Sequence, residues 1–564
     1  MKDGSISPQT ACSVFLPGAS WTPRGCFSWE RCSTTRDIGI RRRNCSSKVQ
    51  VSGFPGPGRP LPRPPFSPPR GCWKKPRLSD RKGVGSRRSA GLSGGHWNFS
   101  MESGGTPTGG AGQGGIDMSR PQISLCMIVK NETEYLDACL TSVRGAVDEI
   151  IVVDTGSDDG SAELAMRHGA RVIRKPWRDD FARARNAGLD RARGDWILVL
   201  DADERLEPGG AAGLRTVAQE PEAEAVLIQI CHEPGPGQEP TVINPVVRLF
   251  RNRPEYRFEG RVHEQITPSI CRARPEARFI VSEVRVRHLG YHPETVNSRN
   301  KVARNLRLLR LEIRDHPDRP FHWYNLGVEY VRSGRLPRAL ACFRRARRGI
   351  EPERTPWAHL LYKTEARCLY AAGQPGDALA LIQEGLRLFP KYTDLYCLAG
   401  LIALDLGRWG AGTEFLRKAV ELGPAPSMFH REERMGTYLP CFALGAAAEQ
   451  LRVYDAALMW FKAALTFQPA LRPAALRIAA ILRVIRGEKA ASDFWATWAA
   501  GDPKGRQTRR IGSTTLSPGV SRRLADAERH LCRITDSTPF QSLILAVRLE
   551  IAQIQLGEVA SHAL

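Results

Sequence analysis

Apolar positions are unevenly distributed along this chain. Over residues 1–118 they recur with neither a helical nor a strand period, and two stretches, 53–70 and 104–115, are dominated by Pro and Gly. Such a segment cannot bury enough apolar surface to offset its ordering entropy, so the pattern predicts an unstructured leader, with Met118 as a natural beginning for the folded chain. Order begins at Ile123. Residues 123–129 form one continuous apolar run, as expected of a buried parallel strand. Leu136, Leu140 and Val143 then share one face of an amphipathic stretch. A second apolar run at 149–153 ends in a loop of turn and cap residues, 154–161. A helix, a short strand at 171–174 and a helix at about 179–193 precede a third apolar run, 196–200, which ends in Asp201-Ala202-Asp203-Glu204. Strands alternating with helices predict a parallel sheet covered on both faces. Ligands of such sheets bind at the carboxyl ends of the strands, where both acidic clusters fall.

From about residue 300 the pattern becomes continuously helical and repeats. Trp323, Leu326, Gly327, Tyr330, Gly334, Ala339, Phe343 and Ala346, closed by Pro352, follow the spacing of the tetratricopeptide repeat. The frame returns with Tyr362, Ala366, Gly373, Ala378 and Pro390, and again with Tyr396, Gly400, Gly407, Leu416, Ala419 and Pro424. After an insertion it returns once more with Gly445, Ala457, Phe461, Ala464 and Pro469. Beyond about Pro503 the chain is polar and then ends in two expected helices. The division predicted is a leader at 1–118, an α/β domain at 119–293, an all-α repeat solenoid at 294–500 and a tail at 501–564.

Charge changes this picture little. The net charge is +23, but residues 1–120 hold 19 Lys and Arg against 6 Asp and Glu, a balance of +13 that leaves +10 for the rest. That remainder gives no argument for nucleic acid as a partner of the folded part. Of 14 cysteines, five (Cys12, Cys26, Cys32, Cys45, Cys72) lie in the leader, and the others sit singly in apolar segments without a CxxC pair. Buried free thiols in a reducing compartment are expected. No apolar run approaches the ~20 residues of a membrane span, and no secretory signal precedes the fold, so a cytoplasmic protein is expected.

The chemistry lies in the acidic loops. Magnesium and manganese prefer carboxylate oxygens and share their shell with phosphates. Asp201 and Asp203, alternate residues after a buried strand, are placed to aim at one metal–diphosphate group. The segments 124–132 (SLCMIVKNE), 152–161 (VVDTGSDDGS), 182–186 (ARARN) and 194–204 (GDWILVLDADE) resemble, in order and spacing, a family 2 glycosyltransferase with the GT-A fold. Segments 257–264 (RFEGRVHE) and 287–291 (RHLGY) resemble bacterial members that carry tetratricopeptide repeats. Some relatives of that kind modify peptides and others build lipopolysaccharide or exopolysaccharide.

The resemblance implies a nucleotide-diphospho-sugar transferase domain of Rossmann-like GT-A type, using Mg2+ or Mn2+ and a nucleotide-sugar donor. By motif, Glu132 and Asp154 would hold the nucleoside, Asp158 or Asp159 would support that loop, and Arg185 would lie close to the donor. Asp201 and Asp203 would anchor the metal and diphosphate. Transfer also needs a base for the incoming hydroxyl. Glu264 is the candidate, with Glu259 and Glu283 behind it, and His263 and His288 compete for a role as third metal ligand or phosphate contact. The expected activity is inverting transfer, of hexosyltransferase type, to a peptide, protein or glycan acceptor, with the repeats holding the acceptor or a protein partner. The chain lacks the base and product motifs of processive synthases. One rival is a repeat-based interaction protein with a degenerate transferase domain. Another is a nucleotidyltransferase, which would show a Gly-rich phosphate loop where this chain has 129–135 (VKNETEY).

Overall fold

The computed structural model describes residues 99–100, 120–233, 242–289 and 297–500. Most of the expected leader, the motif residues Gly290 and Tyr291, and the expected terminal helices lie outside the described residues. Those described belong to one compact unit, Ser89–Leu564.

Strand β1 (Phe99–Ser100) is followed by β2 (Ile123–Val129), α1 (Thr133–Ser142), β3 (Glu149–Asp154), α2 (Ser161–Arg167), β4 (Arg171–Arg174), α3 (Phe181–Leu189) and β5 (Trp196–Val199). Strands β5, β2, β3 and β4 are parallel neighbours in that order, joined by right-sized helical crossovers. Then come β6 (Glu204–Leu206), α4 (Gly210–Ala218), β7 (Ala223–His232), β8 (Val242–Arg251), α5 (Thr267–Ala273) and β9 (Arg278–His288). Here the sheet departs from the all-parallel expectation. Residues 233–241 are too few for a crossover helix, so β8 returns antiparallel to β7 and also pairs antiparallel with β5. The sheet runs β1-β9-β7-β8-β5-β2-β3-β4, with β6 added on β9. Buried Leu125, Met127, Trp196, Leu198, Leu249 and Val226 fill one core face.

The helical region opens with α6 (Asn297–Asp315). Helices α7 (Pro320–Arg332) and α8 (Leu336–Arg348), α9 (Ala358–Ala371) and α10 (Pro375–Leu388), and α11 (Thr393–Asp405) and α12 (Trp409–Leu422) pack as consecutive pairs. So do α13 (Tyr438–Gln450) and α14 (Tyr454–Phe467), and α15 (Arg472–Arg486) and α16 (Glu488–Ala500), the last pair lying beyond the four frames read from sequence. The small residue of each frame explains the close approach. A Cβ on Gly327 would meet Phe343 at 2.5 Å, one on Gly400 would meet Leu416 at 2.5 Å, and one on Gly445 would meet Phe461 at 2.8 Å.

Between α12 and α13 the insertion forms a strap across the first helices of the pairs. Phe429 packs 5.1 Å from Tyr392 and 5.0 Å from His359, ring centre to ring centre. Its next residues form β10 (Arg431–Glu432), which pairs antiparallel with β8. The repeat region thus adds a strand to the sheet. Among the described residues no helix is long and apolar enough to cross a membrane. The eight described cysteines are free thiols, seven of them buried.

Candidate active site

The parallel strands deliver their acidic ends to one edge. Asp154, closing β3, is 4% exposed. Its Oδ1 accepts from the backbone N–H of Gly156 (3.1 Å) and Ser157 (2.8 Å), which shapes the loop. Gly156 takes φ +116°, a region where a side chain would be strained. Asp159 ties that loop to α1: its Oδ2 accepts from the N–H and Oγ1 of Thr133, and its Oδ1 from the N–H and Oγ of Ser161. Burial pushes its carboxyl slightly up, but these bonds prevail and hold it at about 2. Asp158 takes part through its backbone N–H, donated to Asn131 Oδ1.

The second cluster is built around two arginines. Asp201 follows β5, and each of its oxygens is taken. Arg185 Nη2 lies 2.8 Å from Oδ1, and Arg248 Nη2 lies 3.1 Å from Oδ2. Against the upward push of burial, these guanidiniums hold the Asp201 carboxyl well below the usual range. Arg185 Nε also donates to Glu264 Oε1 at 2.5 Å, and its guanidinium stands 5.6 Å from the Phe258 ring centre. Arg248 continues to buried Glu204 Oε1 at 2.5 Å. Glu204 Oε2 accepts the Asp201 N–H, closing the turn that carries the DxD pair. The structure therefore brings Arg185, Asp201 and Glu264 into one connected group. Arg248 and Glu204 escaped the sequence reading as site residues. The available signal was an arginine inside the apolar strand 246–250 (VVRLF).

Asp203 turns the other way. Its Oδ2 lies 3.2 Å from His288 Nε2, at the end of β9, and its carbonyl accepts the Leu289 N–H. Burial alone would push His288 down, but Asp203, Glu204 and Asp201 lift it to about 9. The other ring nitrogen, Nδ1, is 2.9 Å from His232 Nδ1. Glu132, just before α1, feels the same surplus of negative charge. Burial first, then Asp203 and Asp201, raise its carboxyl to about 7.

The remaining candidates lie elsewhere. His263, with φ +53°, is buried with Nε2 3.8 Å from Glu329 of α7. Arg261, three residues before Glu264, pairs with Glu312 and Asp315 of α6. Glu259 pairs with Arg272 and Arg319, and Glu283 accepts from Ser427 Oγ. On the far face of α3 a cavity of about 640 Å³ runs between Lys175, Arg183, Asn186, Glu259 and Arg319.

An α/β sheet with an acidic edge gripped by buried arginines is thus continued by a domain of stacked helix pairs. The sequence profile of glycosyl transferase family 2 matches residues 124–274, and a tetratricopeptide repeat profile matches 363–425. The TPR repeat-containing protein Synpcc7942_0270 of Synechococcus elongatus is 34% identical over 313 residues, covering 54% of this chain and 76% of that protein. The SPbeta prophage-derived glycosyltransferase SunS of Bacillus subtilis is 29% identical over 213 residues, 37% of this chain and 49% of SunS. This chain therefore spans about half the length of SunS. An uncharacterized glycosyltransferase of Rickettsia felis is 40% identical over 85 residues, 15% of this chain and 30% of its own. The chain belongs to the family 2 glycosyltransferases that carry tetratricopeptide repeats.

Proposed function

We propose that this protein transfers a sugar, by inversion, from a nucleotide-sugar donor to a peptide, protein or glycan acceptor, with a divalent cation at Asp203 and His288. The observation that carries this reading is the convergence of Asp203, His288 and Glu132 beside the Arg185–Asp201–Arg248 group. The donor set suits magnesium or manganese, being one carboxylate and one imidazole nitrogen beside the Glu132 carboxyl, which burial first and then Asp203 and Asp201 push up. Among the described residues no cluster of three or more His, Cys, Asp or Glu is set to hold a metal alone. A cation there would draw the rest of its shell from diphosphate and water. When bound, it neutralises charge developing on the leaving diphosphate.

The chain's own residues then divide the work. Asp154 holds the nucleoside side of the donor, with its loop fixed by Asp159. Asp201 fixes the two arginines, whose charge faces the donor edge. Glu264, held by Arg185, takes the proton of the incoming hydroxyl. It is the one carboxylate among Glu259, Glu264 and Glu283 that reaches the central group. The repeats are proposed to hold the acceptor or a partner on surfaces that the strap leaves free.

Donor hydrolysis by the purified protein tests this reading without knowledge of the acceptor. Asp203→Ala should lower hydrolysis by at least ~100-fold, the scale expected when charge stabilisation of a leaving group is lost. Full activity in excess chelator would remove the cation from the account.

A further inference from the structure

One pairing rung crosses five strands of the sheet. Glu432 of β10 faces Val242 of β8, Val242 faces His232 of β7, His232 faces His288 of β9, and His288 faces Glu204 of β6. Residues on one rung project from one face of a sheet. All five are buried. At one end of this line stands the Asp201–Asp203 turn, through Glu204. At the other stands a charge cluster that belongs to the repeats.

That cluster anchors the strap. The Glu432 carboxylate accepts from Lys363 Nζ (3.1 Å), Arg367 Nη1 (2.6 Å) and Arg434 Nη2 (2.8 Å), and its N–H donates to Asp394 Oδ2 at 3.0 Å. Lys363 also reaches Asp394 at 2.9 Å. Lys363, Arg367, Asp394 and Glu432 are buried, and breaking buried charge pairs of this kind is strongly destabilising, so the strap has little freedom to lift. On the sheet side, Gln229 Nε2 of β7 donates to Ser427 O and to Ser282 O of β9, and Ser427 Oγ donates to Glu283. The first half of β8 has no partner in β5, whose pairing covers only 249–251. The short β10 covers that edge.

The sheet end of the rung bears on the site directly. His288 Nδ1 lies 2.9 Å from His232 Nδ1 while its Nε2 lies 3.2 Å from Asp203, and a ring held at both nitrogens has its plane fixed. A histidine that offers one nitrogen to a cation commonly has its other nitrogen held in this manner.

We propose that Glu432 of the repeat region is a positioning residue of the transferase site. Its anchorage keeps β10 on β8 and thereby fixes His232, which holds the His288 imidazole toward Asp203. This rests on the reading of Asp203 and His288 as the cation site. The repeat region is then a structural part of the transferase centre as well as a surface for partners.

The test uses the full chain with Glu432→Gln, His232→Leu and His232→Asn. Manganese affinity is measured by electron paramagnetic resonance with whichever of UDP, GDP, ADP or dTDP the wild type binds. Glu432→Gln and His232→Leu should weaken manganese binding by ~10-fold or more, with nucleotide affinity in the absence of metal unchanged. His232→Asn, whose Oδ1 offers an acceptor near the Nδ1 position, should recover most of the loss. In metal-free protein, Glu432→Gln should speed amide hydrogen exchange at 229–232 and 285–289 and leave 149–154 unchanged. Folded variants with wild-type manganese affinity and wild-type exchange would overturn the proposal. If the wild type binds no manganese with any of these nucleotides, the cation reading falls, and exchange alone decides whether Glu432 holds the rung. Should Glu432→Gln not fold, Arg434→Met, which removes one of its three cationic partners, takes its place.

Discussion

Arg185 divides its guanidinium between Asp201 and Glu264, and this sharing makes the base assignment testable. In Glu264→Gln the amide oxygen still accepts from Arg185 Nε, while the proton acceptor is gone. Turnover should fall by ~100-fold or more with donor affinity kept, the usual worth of a positioned general base. A folded Glu264→Gln protein with near-normal turnover would end the assignment. Glu132 gives a second expectation at this scale. Its carboxyl is raised to about 7, above the ordinary glutamate range, mainly by burial and then by Asp203 and Asp201. Between the ordinary value and 7 the unfolded chain has lost this proton and the folded chain retains it, so metal-free stability falls as pH rises through that window and is level above it. Glu132→Gln removes the penalty. Its melting temperature should exceed that of the wild type at pH 8 by about 2 °C, and the two should converge at pH 5. A gap that widens on acidification would contradict the sign. Single residues were also where the sequence spoke least. Asp201 and Asp203 were visible because they end an apolar run. Their division of labour, one to arginines and one to a histidine, depends on Arg248 and His288, which arrive from distant strands.

At the scale of elements, what was legible followed local periodicity. The runs of β2, β3 and β5 and the crossovers between them are set by neighbours in sequence, and the sheet there is parallel as expected. The second half was not legible, because β7, β8 and β9 carry no periodic sign of which strand lies beside which. Only the short link between β7 and β8 hints at the antiparallel return. The two-residue β10 has no sequence signature at all, since its place is fixed by buried ion pairs with α9 and by a backbone N–H donated to Asp394 of α11. The repeats were legible because three of the four frames place a glycine against a large side chain, and the second has Ala366 there. Gly400→Ala brings a Cβ within 2.5 Å of Leu416 and 3.0 Å of the Gly412 carbonyl. It should destabilise the protein by about 1–3 kcal/mol in denaturant unfolding, the usual cost of overpacking. Gly410→Ala, whose Cβ meets nothing within 4 Å, is the control and should gain up to about 1 kcal/mol from helix propensity. Equal midpoints for the two variants would show that the helices part freely at Gly400.

At the scale of the whole molecule, the strap and the α6 contacts make the transferase and repeat regions continuous. Val262 joins the repeat core, and Arg307 of α6 pairs with Asp179 ahead of α3. Among the described residues, those before Met118 are β1, which pairs Phe99 and Ser100 with Phe279 and Ile280 at the rim of the sheet. A chain beginning at Met118 should therefore fold and bind donor, with a melting temperature lowered by less than about 2 °C. A larger loss would make the leader part of the fold. Stacked repeats are ordinarily tolerant of changes in number, since each unit contacts only its neighbours. Here Lys363 in α9 and Asp394 in α11 both grip the same glutamate, and that glutamate is in register with the sheet. An extra unit spliced between α10 and α11 would separate the two grips by a full step of the superhelix and pull β10 off β8. The same unit added after α16 would leave them untouched. Length polymorphism in relatives of this architecture should accordingly accumulate at the far end of the array.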